Sequence, residues 1–337
     1  MTRIASIWRP SPPDRADLND FESMKRSMIA TRRFGSPKNP IPSHGGFTVV
    51  ELLAVMVMIA ILAIVLLPAL AGTKSDPRAF QCLNNERQLI LGWQMYAADN
   101  SDLLPPNDFP YLTAYRTFAN KSEMRNWVVG TMASPLDANW LPELTDSNTL
   151  LSPYLHDPKV YHCPADNYIN PLTHGLNIRS YSMNSAVGTT RWTFYNYGSP
   201  PLGAAVDQGW LSGASYSLAA TGPWLTYGKL SSFTRPGPAN TFVIMDENPY
   251  SINDGCLFVS AVATPGATYI IDYPSGLHGA AGSISFADGH VIIHKWLDSR
   301  TYTPTIQPQG GAPGTPFHPM PDDVDNFYLA SITSALR

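Results

Sequence analysis

Several groups of residues in this sequence have side chains suited to chemistry. In the second half, Asp246-Glu247-Asn248 and Asn253-Asp254-Gly255 are followed by His278 and by Asp288-Gly289. Carboxylates and amide oxygens on adjacent loops suit Ca²⁺, which takes about six to eight oxygen ligands. Asp246, Asn248, Asn253, Asp254, His278 and Asp288 are therefore the candidate metal set, with Ca²⁺ as the ion. The plainer reading of the same residues is turns and caps, since Asn-Asp-Gly is ordinary turn chemistry. His290 and His294 fall on one face of an expected strand and could join His278 in a three-nitrogen zinc site. Exposed polar positions alternating with buried Val291 and Ile293 explain them equally well.

The three cysteines, Cys82, Cys163 and Cys256, form the second group. In an oxidising compartment they allow one disulfide and one free thiol, with Cys82 and Cys163 the candidate pair and the other pairings open. Cys163 as a nucleophile would need a base beside it in space; adjacent His162 points away on an extended chain, leaving His278 or His174. A disulfide or a small buried hydrophobe is the simpler role. Phosphate-binding Gly-rich loops and Gly-Xaa-Ser-Xaa-Gly elbows are absent from the sequence.

The third group is a single charge, Glu51, inside the apolar run from Phe47 to Leu67. Those 21 residues would make a helix of about 30 Å, the thickness of a bilayer's hydrocarbon core. A carboxylate there costs about 2.5 kcal/mol or more and calls for a partner. Cleavage between Gly46 and Phe47 would supply one, a free α-amino group on the same or a neighbouring chain.

The elements that must position these groups follow from periodicity and punctuation. Pro68 closes the apolar run, and residues 79 to 98 carry Leu83, Ile90 and Ala97 seven apart, with Leu89, Trp93 and Tyr96 widening the stripe of an amphipathic helix. Asp99-Asn100-Ser101-Asp102 ends it. Short strands are expected at Trp127–Gly130, Ile178–Asn184, Thr241–Met245 and Cys256–Val262, and a helical turn at Thr149–Leu155. Ser283–Ala287 and His290–Trp296 flank Asp288-Gly289, the strongest short hairpin signal in the chain. Residues 303–321 are rich in Pro and Gly, and Asp325–Leu336 suits a short closing helix.

Charge is uneven. Residues 1–46 hold 8 Lys and Arg against 4 acidic residues, and the remainder holds 14 against 22. The acidic remainder argues against nucleic acid as a partner. Lys25, Arg26, Arg32, Arg33 and Lys38 precede the apolar run, an asymmetry that keeps the leader cytoplasmic and places the C-terminal part outside.

His44-Gly45-Gly46-Phe47-Thr48-Val49-Val50-Glu51-Leu52-Leu53 resembles the cleavage and methylation signal of type IV prepilins and type II secretion pseudopilins. The likeness extends to Pro68 as the kink position. Further along, Cys82-Leu83-Asn84-Asn85, Ser152-Pro153-Tyr154-Leu155, His162-Cys163-Pro164-Ala165-Asp166, Arg179-Ser180-Tyr181-Ser182-Met183-Asn184, and His278 with nine residues before Asp288-Gly289 resemble prepilin-type proteins with a His-nine-residues-Asp-Gly C-terminal motif. The resemblance implies cleavage at Gly46/Phe47 by prepilin peptidase, N-methylation of Phe47, and assembly through Glu51 and Pro68 with other pilin-like subunits. The long leader and the Pro/Gly-rich tail depart from that pattern.

The expected fold is α+β: a long N-terminal transmembrane and amphipathic helix, the pilin-like stem, packed on a small antiparallel β-sheet head with many loops. The expected divisions are a leader at 1–46, with Met24 or Met28 as alternative starts, a transmembrane helix at 47–67, its amphipathic continuation at 68–98, an extracytoplasmic head at 99–302, and a tail at 303–337. The expected protein is a single-pass inner-membrane structural subunit of a pilus or pseudopilus, not an enzyme. The alternative is an anchored extracytoplasmic module whose aromatic residues bind polysaccharide.

Overall fold

The computed structural model describes residues 47–71, 77–108, 117, 125–190, 203–207, 211–212, 222–303 and 318–337, with backbone alone at 63–71 and 318. The leader, with Met24, Met28 and Gly46, lies outside them. The chain divides into two compact units, Met1–Gly72 and Thr73–Arg337.

In the first unit, helix α1 (Val49–Ala71) starts at a reciprocal cap. The Thr48 amide and hydroxyl donate to Glu51 Oε2 at 2.8 and 2.9 Å, and the Glu51 amide donates to Thr48 Oγ1 at 3.3 Å. Thr at the cap and Glu three residues on satisfy each other's otherwise orphaned amides. The backbone stays helical through Pro68.

The expected transmembrane stem is corrected. Among the described residues no helix is long and apolar enough to cross a membrane. The amphipathic segment is helix α2 (Pro77–Asp99), which belongs to the second unit. Pro77 opens α2 where its missing N–H costs nothing.

The second unit is built on a five-stranded sheet. A small hairpin of β1 (Ile169–Asn170) and β2 (Gly175–Leu176) precedes it. The sheet comprises β3 (Tyr181–Asn184), β4 (Phe242–Asp246), β5 (Cys256–Leu257), β7 (Ala281–Phe286) and β8 (Val291–Lys295), in the order β5-β3-β4-β7-β8. A separate pair joins β6 (Tyr269–Ile270) to β9 (His318–Pro319). The sheet is mixed, correcting the antiparallel expectation: β3 and β5 run parallel, and the other neighbours run antiparallel.

Helices cover both faces. Cys82, Leu89, Ile90 and Trp93 of α2 share a core with Tyr181, Met183, Val243 and Ile244. On the other face, Leu329 and Ile332 of α4 (Val324–Thr333) pack with Phe242, Met245, Ile284 and Phe286. Burial on both sides explains why β4 reads Phe-Val-Ile-Met without alternation. Between Phe242 and Ile244 the β4–β7 register shifts, so Phe242 and Met245 face one helix while Val243 and Ile244 face the other. Four-residue α3 (Ser299–Tyr302) follows β8.

The hairpin lies where Asp288-Gly289 placed it, with Gly289 at φ +94° and its amide bonded to Phe286 O at 2.8 Å. Four residues, Ala287 to His290, form the turn. The expected strand at Trp127–Gly130 is irregular chain: Trp127 N bonds Pro106 O, and Met132 N bonds Asn253 O. At Cys256–Val262 only Cys256–Leu257 is strand.

Candidate metal centre

One buried cluster draws on residues from four separate stretches of the second unit. Cys82 sits on the buried face of α2 and Asp246 ends β4. Cys163 follows a 3₁₀ turn over Pro158–Tyr161, and His278 lies three residues before β7. One ligand atom from each of the four residues lies within 4.8 Å of every other. Cys163 Sγ is 3.3 Å from His278 Nε2, which is 3.8 Å from Asp246 Oδ2. All four side chains are buried.

The surrounding chain fixes each of them. Tyr181 Oη lies 3.1 Å and Ser283 Oγ 3.3 Å from Cys82 Sγ. The Cys163 amide donates to Ser180 Oγ at 3.1 Å, and that hydroxyl donates to Asp166 Oδ2 at 2.8 Å. Asp246 Oδ1 accepts from the Ser283 amide at 2.7 Å, while Oδ2 has no hydrogen bond among the described residues. Gly282 makes this approach feasible: a Cβ there would lie 2.8 Å from Asp246 Oδ1 and 2.8 Å from Ser275 O. Gly279 and Ala280, at φ +73° and +63°, turn the chain tightly after His278.

The environment is buried and rich in carboxyl groups. Glu86, one turn beyond Cys82, is fully buried, and neither carboxyl oxygen has a hydrogen bond among the described residues. Burial pushes Glu86 well above the usual carboxylate range and Asp246 up to about 7, with His278 and the Ser283 amide pulling Asp246 back. A hydrogen bond with Cys163, together with burial, pushes the Cys82 thiol well up.

This cluster unites two of the three cysteines with two of the six Ca²⁺ candidates. Cys82 and Cys163 are brought together as free thiols, and Cys256 lies apart, with Sγ 3.2 Å from Asn107 Oδ1. Of the Ca²⁺ candidates, Asp246 and His278 enter the cluster and the others do not. Asn248 donates to Tyr302 O and accepts from Tyr250 N. Asn253 Oδ1 accepts from Asp254 N, and Asp254 Oδ1 from Cys256 N. Asp288 holds its own turn, accepting from His290 N at 3.1 Å. No oxygen cage forms from them, because their oxygens serve neighbouring backbone. His290 stacks on Phe286 and His294 on Tyr328, so neither joins His278.

In a nucleophile-and-base relay the orienting carboxylate holds the second imidazole nitrogen; here Cys163 and Asp246 both face Nε2. The donor set instead suits a soft or borderline cation: two sulfurs, one imidazole nitrogen and one carboxylate oxygen.

The clustered motifs now have physical roles. Arg179, fully buried, donates to the carbonyls of Asp254 and Gly130. Ser180 holds the Cys163 loop, Tyr181 reaches Cys82, Ser182 donates to Glu247, and Asn184 donates to Phe242 O and Thr333 O. Glu86 and Gly282 carried no sequence signal beyond position on a helix and before a strand. No protein-family model, curated protein or solved structure matches the chain.

Proposed function

We propose that the chain is a pilin-like structural subunit, cut between Gly46 and Phe47 by prepilin peptidase and assembled with like subunits into a pilus- or pseudopilus-like filament with its head on the extracytoplasmic side. The observation that carries this is the surface of α1. The large apolar side chains from Val49 to Leu62 are exposed along the helix, and Phe47, the residue after the proposed cut, is 84% exposed. A contiguous apolar surface of this kind marks an interaction site. Packing against the same helix in neighbouring subunits would cover it.

Glu51 has two separable roles in this reading. Its carboxylate accepts both Thr48 donors and so starts the helix. Its charge would pair with the new α-amino group at Phe47 of an adjacent subunit and fix axial register.

The two roles come apart by substitution. Glu51→Gln keeps an oxygen acceptor for Thr48 and removes the charge, whereas Glu51→Ala removes both. Both variants are expected to be cleaved normally and to fail in co-assembly with wild-type subunits. Normal incorporation of Glu51→Gln into filaments would overturn the charge-pairing mechanism.

A further inference from the structure

We propose that Cys82, Cys163, Asp246 and His278 form a closed, four-ligand structural site for a zinc-class divalent cation that ties helix α2 to the sheet. The proposal is independent of filament assembly and rests on the geometry of the second unit.

Donor chemistry selects the ion. Zinc binds cysteine sulfur at about 2.3 Å, histidine nitrogen at about 2.0 Å and carboxylate oxygen at about 2.0–2.2 Å, usually as a tetrahedron of four. Those bond lengths set ligand-to-ligand edges of about 3.4–3.8 Å. The observed separations of 3.3 Å for Cys163 to His278 and 3.8 Å for His278 to Asp246 already lie close to such edges. Calcium and magnesium prefer oxygen donors, and the cluster offers a single carboxylate.

The groups around the cluster are arranged as a metal's outer shell would be. A metal-bound thiolate accepts hydrogen bonds, and both Tyr181 Oη and Ser283 Oγ sit at bonding distance from Cys82 Sγ. The Ser283 amide holds Asp246 Oδ1 and leaves Oδ2, a buried oxygen without a hydrogen bond among the described residues, facing His278. A fully buried carboxylate oxygen left this way is costly unless something charged or donating meets it. A divalent cation would meet it and the two sulfurs together. Binding releases both thiol protons, and that of Asp246 where it carries one.

Two features mark the site as structural. The four protein ligands complete a tetrahedron and leave no position for water or substrate. The ligands also come from α2, the loop after the 3₁₀ turn, the end of β4 and the segment before β7, so one ion would join four stretches far apart in sequence.

The test is metal content and coordination in the reduced full-length chain. Elemental mass spectrometry after zinc loading and desalting should find about one zinc per chain. Replacement by Co²⁺ should give the intense visible bands of a tetrahedral site with sulfur-to-metal charge transfer in the near ultraviolet. Cys82→Ser and His278→Gln should each weaken retention at least tenfold, and Cys256→Ser should leave it unchanged. Tyr181→Phe, which keeps all four ligands, should weaken affinity by roughly 10- to 100-fold.

Wild-type protein decides the matter even where a ligand variant fails to fold. Failure of the reduced chain to take up either metal would overturn the proposal, as would a Co²⁺ spectrum of an oxygen-only octahedral site. A native Cys82–Cys163 disulfide whose reduction yields no metal-binding protein would overturn it in favour of a redox pair.

Discussion

His278 and Asp288 stand at opposite ends of strand β7. His278 lies before the strand begins at Ala281, inside the buried cluster, and Asp288 lies beyond its end at Phe286, in the exposed turn. The nine intervening residues form a strand with a loop at each end, separating the two by the length of β7.

This separation predicts unequal costs within one motif. Asp288→Ala removes a turn cap at a partly exposed site and should cost about 0.5–1 kcal/mol. His278→Ala opens a cavity beside Asp246 and should cost about 2–5 kcal/mol. Denaturant midpoints at unchanged m-value measure both. Equal costs would place the histidine outside the core.

Gly282→Ala tests the close approach of Asp246. The added Cβ would meet Asp246 Oδ1 and Ser275 O, each at 2.8 Å, and neither a buried backbone carbonyl nor a hydrogen-bonded carboxylate can move freely. A loss of about 1–3 kcal/mol is expected, as for overpacking elsewhere. A stability within about 0.5 kcal/mol of wild type would show the strand shifting without cost.

Asp254 predicts a pH dependence. Burial pushes its carboxyl from 3.8 up to about 7, against the opposing pull of the Cys256 amide and Arg179. The folded state therefore holds a proton that the unfolded chain has lost. Its contribution is full below about pH 4 and disappears as pH rises through about 7, at up to about 1.4 kcal/mol per pH unit. Asp254→Asn keeps an oxygen to accept from the Cys256 amide, bonded at 2.7 Å, and removes this part of the slope. Chemical unfolding across that pH range should show a shallower decline in the variant than in wild type.

Asp323 anchors the closing helix. It accepts from the amides of Asp325 and Asn326 at 3.0 Å and from Thr301 Oγ1 at 2.9 Å while fully buried. Asp323→Ala should cost about 2 kcal/mol, the upper end for helix caps, because Thr301 loses its acceptor as well. Thermal unfolding checks it, and Asp323→Asn should recover part of the loss.

Legibility in the sequence followed locality. Helix α2 and the β7–β8 hairpin were readable because a heptad stripe and an Asp-Gly turn are short-range signals, though the buried face centres on Cys82, Glu86 and Trp93, and Leu83 is only half-buried. The Trp127 segment misled because apolar residues in irregular chain can bury as deeply as a strand; Trp127 and Val128 are buried among loops. The candidate site was visible only in halves. Cys82 with Cys163 read as a disulfide and Asp246 with His278 as a cation site, and no periodicity connects residues 82 and 278. Tertiary packing alone merged the pairs, and it left Asn248, Asn253, Asp254 and Asp288 to ordinary turn and cap bonds.

The proposed function depends first on processing, and the most direct measurement is N-terminal peptide mass spectrometry on the protein from its native host. A mature chain that begins at Phe47 with a methylated α-amino group is expected. A chain that keeps residues before Gly46 would contradict it.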